Sequence, residues 1–242
     1  MRTHMTTIMP SSSDTTLAPA SLVRLMTWLS PAYPTGAFAY SSGMEWAVEA
    51  GDIKDAETLR RWLRALIKHG SISCDAVFFA HAWRAAAAND SDTLRPVAEL
   101  AAAFAPSKER FLETTAQGQA FINATRAAWP CPAFDWLANV WRGPLAYPVA
   151  VGVATAGHGF AVEPSLALFL QAVSANLVSA GVRLVPLGQT DGLRVLASLE
   201  DAIAGASARA LVTPLDDVGA ATFRADIAAM RHETQYTRLF RS

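Results

Sequence analysis

The stretch "DAETLRRWLRALIKHG", Asp55 to Gly70, decides the fold class. Leu59, Trp62, Leu63, Leu66 and Ile67 recur at i, i+3, i+4, i+7 and i+8. That spacing lines one face of an α-helix. Asp55 can cap the first turn and Gly70 can stop the last. Outward from there the reading stays helical. "DAVFFAHAWRAAAAND" predicts a second helix, capped by Asp75 and favoured by its alanines. After the loop at Asn89 to Asp92, Asp92 is expected to cap a third helix, with Pro96 tolerated near its first turn. Ser107 opens a long helix to Trp129, which Pro130 and Pro132 break. "AFDWLANVW" predicts a short helix ended by Gly143 and Pro144. Residues 146–158 and 164–184 predict two more, Pro164 taking a first helical position. "QTDGLRVLASLEDAIA" and "TFRADIAAMRHETQY" complete the series. No long alternation of period two and no repeat appears. The expected fold is all-α, a single-domain bundle of about ten helices over residues 21–229. Residues 1–20, rich in Ser, Thr and Pro, are expected to be a disordered tail. Residues 230–242 are read as a separate C-terminal tail.

Of the 242 residues, 52% are hydrophobic and only 17% charged. So much apolar surface builds a sizeable core and leaves some over for partners. The formal net charge of −1 gives no basic field for nucleic acid. No Asp, Glu, Lys or Arg lies between Arg142 and Glu163, nor between Glu163 and Arg183. Each gap approaches the ~20 residues that span a bilayer. Prolines, glycines and His158 interrupt the first, and Gln171, Ser174, Asn176 and Ser179 the second. Two buried helices are therefore expected, with a membrane-associated helical protein as the alternative. Cys74 and Cys131 form no CxxC pair, and no basic stretch precedes an apolar run at the N-terminus. Reduced cysteines, no signal peptide and a cytoplasmic setting are expected.

Motifs for catalysis are missing. There is no GxxxxGK[ST], GxGxxG, HExxH or GxSxG. No two histidines sit at i, i+3 or i+4, so no metal pair forms along one helix. His232–Glu233 are adjacent and diverge by about 100° on a helix. Asp216–Asp217 follow Pro214 and suit a solvated turn better than acid–base work. The pattern is that of a binding protein rather than an enzyme.

Three stretches stand out. "SPAYPTGAFAYSSGMEWA", Ser30 to Ala47, stiffens its backbone with Pro31 and Pro34 and allows bends at Gly36 and Gly43. With Phe38, Tyr40 and Trp46 it either wedges a core or presents a shaped surface. "SANLVSAGVRLVPLGQTDGLRVL", Ser174 to Leu196, places Asn176 and Arg183 on an apolar helix, with Gln189 and Asp191 opening the next. Buried polar groups need partners, which a helix kink or a dimer seam would supply. The third, "MRHETQYTRLFRS", Met230 to Ser242, interleaves Arg231, Arg238 and Arg241 with Tyr236, Leu239 and Phe240. Cations mixed with large apolar groups are common in binding surfaces, although a last turn packed on the core would look the same.

These stretches resemble signatures of the UreF family of urease accessory proteins. "LSPAYPTGAFAYSSGMEWAVEAG" resembles the opening signature, "LVSAGVRLVPLGQTDG" the central motif and "MRHETQYTRLFRS" the ending. "ETTAQGQAF" and "LAYPVAVGVATAGHG" are similar too; the five run in order along the chain, and the likeness covers about Leu22 to Ser242. One departure is Gln119, where many relatives are expected to carry arginine.

The resemblance implies an all-α homodimer that is not an enzyme and binds neither nucleic acid nor membrane. Its implied partners are UreD/UreH, the GTPase UreG and apo-urease. It implies no cofactor on this chain: nickel is handled by the complex, and GTP is bound by UreG. The implied role is a scaffold that couples GTP hydrolysis to nickel delivery into apo-urease. An alternative is a GTPase-activating protein that supplies an arginine to UreG. The tail is implied to become ordered on UreD/UreH, with Arg231, His232, Glu233, Tyr236, Arg238, Leu239, Phe240 and Arg241 as its contacts. Pro34, Gly36, Phe38, Tyr40, Ser41, Gly43 and Glu45 are candidates for the surface that meets UreG. Asn176, Arg183, Gln189 and Asp191 are candidates for the dimer seam.

Overall fold

The computed structural model describes residues 18–242. Most of the segment expected to be a disordered tail, residues 1–17, lies outside them. Twelve α-helices and two short 3-10 turns make up the regular structure, and no strand occurs among the described residues. The all-α reading holds.

The helix that decides the fold class, α3 (Ala56–His69), forms as read. Asp55 Oδ1 accepts the Thr58 N–H at 2.8 Å, and Thr58 Oγ1 accepts the Asp55 N–H at 3.0 Å. This reciprocal cap satisfies two otherwise orphaned donors. Leu59, Leu63, Leu66 and Ile67 are buried, and Trp62 is half-buried beside them.

The next helix departs from expectation. Helix α4 (Ser71–Ala87) starts directly after Gly70, so Asp75 sits inside it and caps nothing. Gly70 ends α3 and begins α4 in one residue, because its extended backbone turns the chain without a loop. In α5 (Ser91–Ala103) the cap is Asp90, which accepts the Thr93 N–H at 3.0 Å; Asp92 lies in the first turn. Ser107 caps α6 (Lys108–Ala128) as read, and α7 (Pro132–Val140) follows the predicted break.

Helices α8 (Tyr147–Gly157) and α9 (Val162–Leu184) are the two charge-poor segments. Their lack of charge has a packing cause. Helix α8 lies against α4, α6, α7 and α9. Its Gly152 lets the backbones close up, since a Cβ there would meet the Phe79 carbonyl oxygen at 2.7 Å. Helix α9 is long and apolar enough to cross a bilayer. It packs against α4 and α8, and against α10 (Gln189–Ala197) and α11 (Glu200–Ala210). Pro164 stands third in α9 rather than first, where its missing N–H still costs no intrahelical bond. Phe79 and Phe169 meet between α4 and α9 with centroids 5.2 Å apart. Each such buried side chain contributes about 2–3 kcal/mol of transfer free energy.

"QTDGLRVLASLEDAIA" is two helices, not one. Ser198 Oγ turns back onto the Val195 carbonyl at 2.6 Å and Leu199 is fully buried, which breaks the chain between α10 and α11. Helix α12 (Phe223–His232) closes the bundle, so Met230 to His232 form its last turn. At the other end α1 (Pro19–Trp28) is pinned by Trp28, which is fully buried against Phe121, His158 and Phe160. Arg24 reinforces it with a 2.9 Å bond to His158 Nδ1. Asp216 and Asp217 occupy an exposed 3-10 turn, as a solvated pair should.

Candidate functional site

The Ser30–Ala47 stretch is partly helical. A 3-10 turn covers Ala37–Ala39, and α2 (Met44–Glu49) carries Glu45 and Trp46. Two glycines make the bends, Gly36 at φ 72° and Gly43 at φ 81°. At Gly43 the backbone also approaches α12 closely. A Cβ there would meet the Ala229 nitrogen at 2.6 Å. That approach sets Glu45, in the first turn of α2, beside His232, in the last turn of α12.

His232 is fully buried between two carboxylates. Its Nε2 lies 3.1 Å from Glu45 Oε2, and its Nδ1 lies 2.6 Å from Glu109 Oε2 at the start of α6. A doubly protonated ring donates to both; a neutral one can donate to only one. Glu45 does more. Its Oε1 accepts the Leu239 N–H at 2.6 Å and its Oε2 the Phe240 N–H at 2.9 Å. Glu109 Oε1 accepts from Arg238 at 2.6 Å. One buried carboxylate on α2 thus anchors the helix end and the tail backbone together.

The tail then runs along the loop. The Arg241 N–H donates to the Ala39 carbonyl at 2.8 Å, and the Ser41 N–H to the Ser242 backbone oxygen at 2.8 Å. Ser242 Oγ reaches Glu113 Oε2 at 2.5 Å. Glu113 is paired with Arg110 one helical turn away, and both touch Ser42 Oγ. Phe240 is only 4% exposed, with the Arg183 guanidinium 4.4 Å from its ring centroid. Arg183 also donates to the Phe38 carbonyl at 2.8 Å, and Asn176 to the Ala37 carbonyl at 3.0 Å. Asn176 and Arg183, the polar groups on the apolar helix, therefore find partners on the loop of the same chain.

Three separate motifs are thus one assembly. Ser41, Glu45, Asn176, Arg183, His232, Arg238, Phe240 and Arg241 are joined in it. Tyr40, read as candidate surface, is buried beneath it. Glu45 and Phe240 are buried too, because the tail covers the first and Arg183 the second. Exposed instead are Phe38, Tyr236 and Leu239, with Pro34 beside them in the loop. Glu233 points away from His232 and accepts the Lys108 N–H at 2.8 Å, so the two do not converge on a metal. Gln189 and Asp191 stand apart at the start of α10, where Asp191 pairs with Arg194 at 3.0 Å. Gln119 bonds Asn123 on the outer side of α6.

Sequence reasoning missed Glu109, Arg110, Glu113 and Ser42. The available signal was charge economy: in a chain this poor in charge, "SKERFLE" places four ionic groups on one helix start.

Behind the assembly lies a cavity of about 70 Å³, room for several waters. Ser42, Glu113, Gln117, Tyr147 and Asn176 line it, together with Asp75. Burial pushes the Asp75 carboxyl up to about 7; Arg110 opposes the shift and Glu113 adds to it. Asp75 is half-buried, with this space on one side and a smaller cavity lined by Cys74, Phe78 and Arg110 also against it.

Comparison with known proteins places the chain. The UreF family model matches residues 53–200, the middle of the bundle. A urease accessory protein UreF of Rhodopseudomonas palustris strain BisB5 is 62% identical over 223 residues, 92% of each chain. Another, of strain BisB18, is 56% identical over 241 residues, 98% of this chain and all of its own. One of Bradyrhizobium diazoefficiens is 59% identical over 223 residues, again 92% of each. These matches run beyond the family model's segment and take in most of the chain. The chain belongs to the UreF family of urease accessory proteins.

Proposed function

We propose that the chain is a non-catalytic scaffold of urease maturation. It holds UreD/UreH through the tail and UreG through the loop surface, as a cytoplasmic homodimer. It couples GTP hydrolysis on UreG to nickel delivery into apo-urease, while nickel and GTP are handled by the complex and by UreG. The observation that supports this most is the union of loop and tail. Two segments almost 200 residues apart are locked by Glu45, and three aromatic or apolar groups, Phe38, Tyr236 and Leu239, are left facing outward. A surface already fixed in its binding shape loses less entropy on association. Buried members such as Tyr40, Glu45 and Phe240 then build the surface rather than touch the partner. Scaffolding shifts UreG only through differential affinity for its two states.

Co-purification of the chain with its cognate UreD/UreH and UreG, with molar mass by light scattering, tests this. A stable assembly containing all three, on a dimeric core, is expected. A chain that stays monomeric and binds neither protein would overturn the proposal.

A further inference from the structure

Ser42 stands in the left-handed region at φ 55°, where among the described residues only Asn89 joins it outside glycine. With Gly43 it makes the bend by which the loop enters α2. A left-handed serine is disfavoured and persists only where its surroundings hold it. What holds it is a pair of ions on α6. Arg110 Nη1 donates to Ser42 Oγ at 2.8 Å, and Ser42 Oγ donates to Glu113 Oε1 at 3.0 Å. Arg110 and Glu113 are themselves paired.

Arg110 keeps donors in reserve. Its Nη1 serves both partners, while Nε and Nη2 make no hydrogen bond among the described residues, although the side chain is only 12% exposed. Asp75, on α4, is its complement. The Asp75 carboxyl makes no hydrogen bond and no ion pair among the described residues. Both residues line the cavity behind the assembly and the smaller one beside it, so guanidinium and carboxyl face each other across open space.

The other titratable groups here do not compete. Glu113 is already paired. Burial holds the Tyr147 hydroxyl of α8 above its usual range and pushes the Cys74 thiol up to about 12, so both stay protonated. Asp226 of α12 also faces Arg110, but burial raises its carboxyl more than Arg110 lowers it. Helices α5 and α9 and the loop line the two cavities with uncharged residues only.

We infer that Arg110 is shared between two partners, and that the protonation of Asp75 decides which of them holds it. While Asp75 is neutral, Arg110 stays on Ser42 and Glu113 and the bend is closed. Once Asp75 is ionised, the free nitrogens of Arg110 turn to its carboxylate, Ser42 loses its donor, and the left-handed bend relaxes. The Ser30–Ala47 loop is thereby jointed at a proton-sensitive point. The carboxyl value of about 7 sets the range. The closed bend is favoured below that value and loses its advantage as pH rises through it.

The Met44 N–H donates to the Ser41 carbonyl across the bend at 3.1 Å and reports its opening. The test is amide exchange of the full-length chain at pH 6 and pH 8, corrected for the intrinsic rate, wild type beside Asp75→Asn. Met44 protection in the wild type should fall about tenfold, as linkage gives for a carboxyl near 7 in the closed state and ordinary in the open one. In Asp75→Asn it should hardly change. An equal fall in both, or none in the wild type, would overturn the inference. At pH 8 Met44 should also be far less protected than Leu63 in the α3 core; one common opening for both would mean global unfolding and would overturn it too. A second measurement needs no variant. In a carbon and nitrogen NMR titration of the wild type, the Asp75 carboxyl and Arg110 Nε shifts should share one midpoint near 7. An Arg110 signal that ignores the Asp75 titration would overturn the inference and leave the scaffold reading standing.

Discussion

Glu45 shows how much one side chain settles. It is buried, so its charge requires compensation, and it receives three donors: His232, Leu239 N–H and Phe240 N–H. Removing it would strand buried donors at about 1–3 kcal/mol each. Asp75 is the opposite case, a half-buried carboxyl short of partners. Its folded value, about 7, lies above that of the unfolded chain. The stability it contributes is therefore fully present below the unfolded value and is lost as pH rises through about 7. Between pH 6 and 8 the chain should lose about 1 kcal/mol from this group. Asp75→Asn should flatten that slope, as read by urea unfolding at both pH values. An unchanged slope would show that Asp75 is solvated from outside. None of this was legible beforehand, since Asp75 reads in sequence as a helix cap. Only the direct α3–α4 junction at Gly70 shows that it is not.

At the scale of elements, amphipathic spacing was the most legible signal. It placed α3 well, because one apolar stripe and one cap specify it; α6 was placed instead by its cap at Ser107 and the prolines that follow it. It failed where the chain breaks without proline or glycine, as between α10 and α11, where Ser198 and Leu199 end the helix by local bonding and burial. It also took the loop for a single irregular stretch and overlooked α2. Gly43 gives that part its test. A side chain there meets both an unfavourable φ of 81° and the α12 backbone, whereas at Gly36 only the φ of 72° is unfavourable. Gly43→Ala should cost about 2–3 kcal/mol and Gly36→Ala about 1 kcal/mol in denaturant unfolding. Equal losses would mean that α2 and α12 do not need their close approach.

At the scale of the whole molecule, the apolar composition was read as a large core with surface to spare, and both halves have addresses. The core lies on α4, α8 and α9, and much of the remainder on α12 and the tail. Three of the stretches that carry the family resemblance are brought together by the fold. The resemblance could not show that they meet, because the contacts joining them span almost the full length of the chain and leave no local pattern. The resemblance also implied a tail that orders on its partner, whereas here its anchoring groups lie within its own chain. The central claim is that the tail is latched by Glu45 before any partner arrives. Amide hydrogen exchange on the isolated full-length chain tests it most directly, wild type beside Glu45→Ala. The account expects the Leu239, Phe240 and Arg241 amides to exchange slowly in the wild type and at the unstructured rate in the variant. Unstructured-rate exchange at all three in the wild type would contradict it.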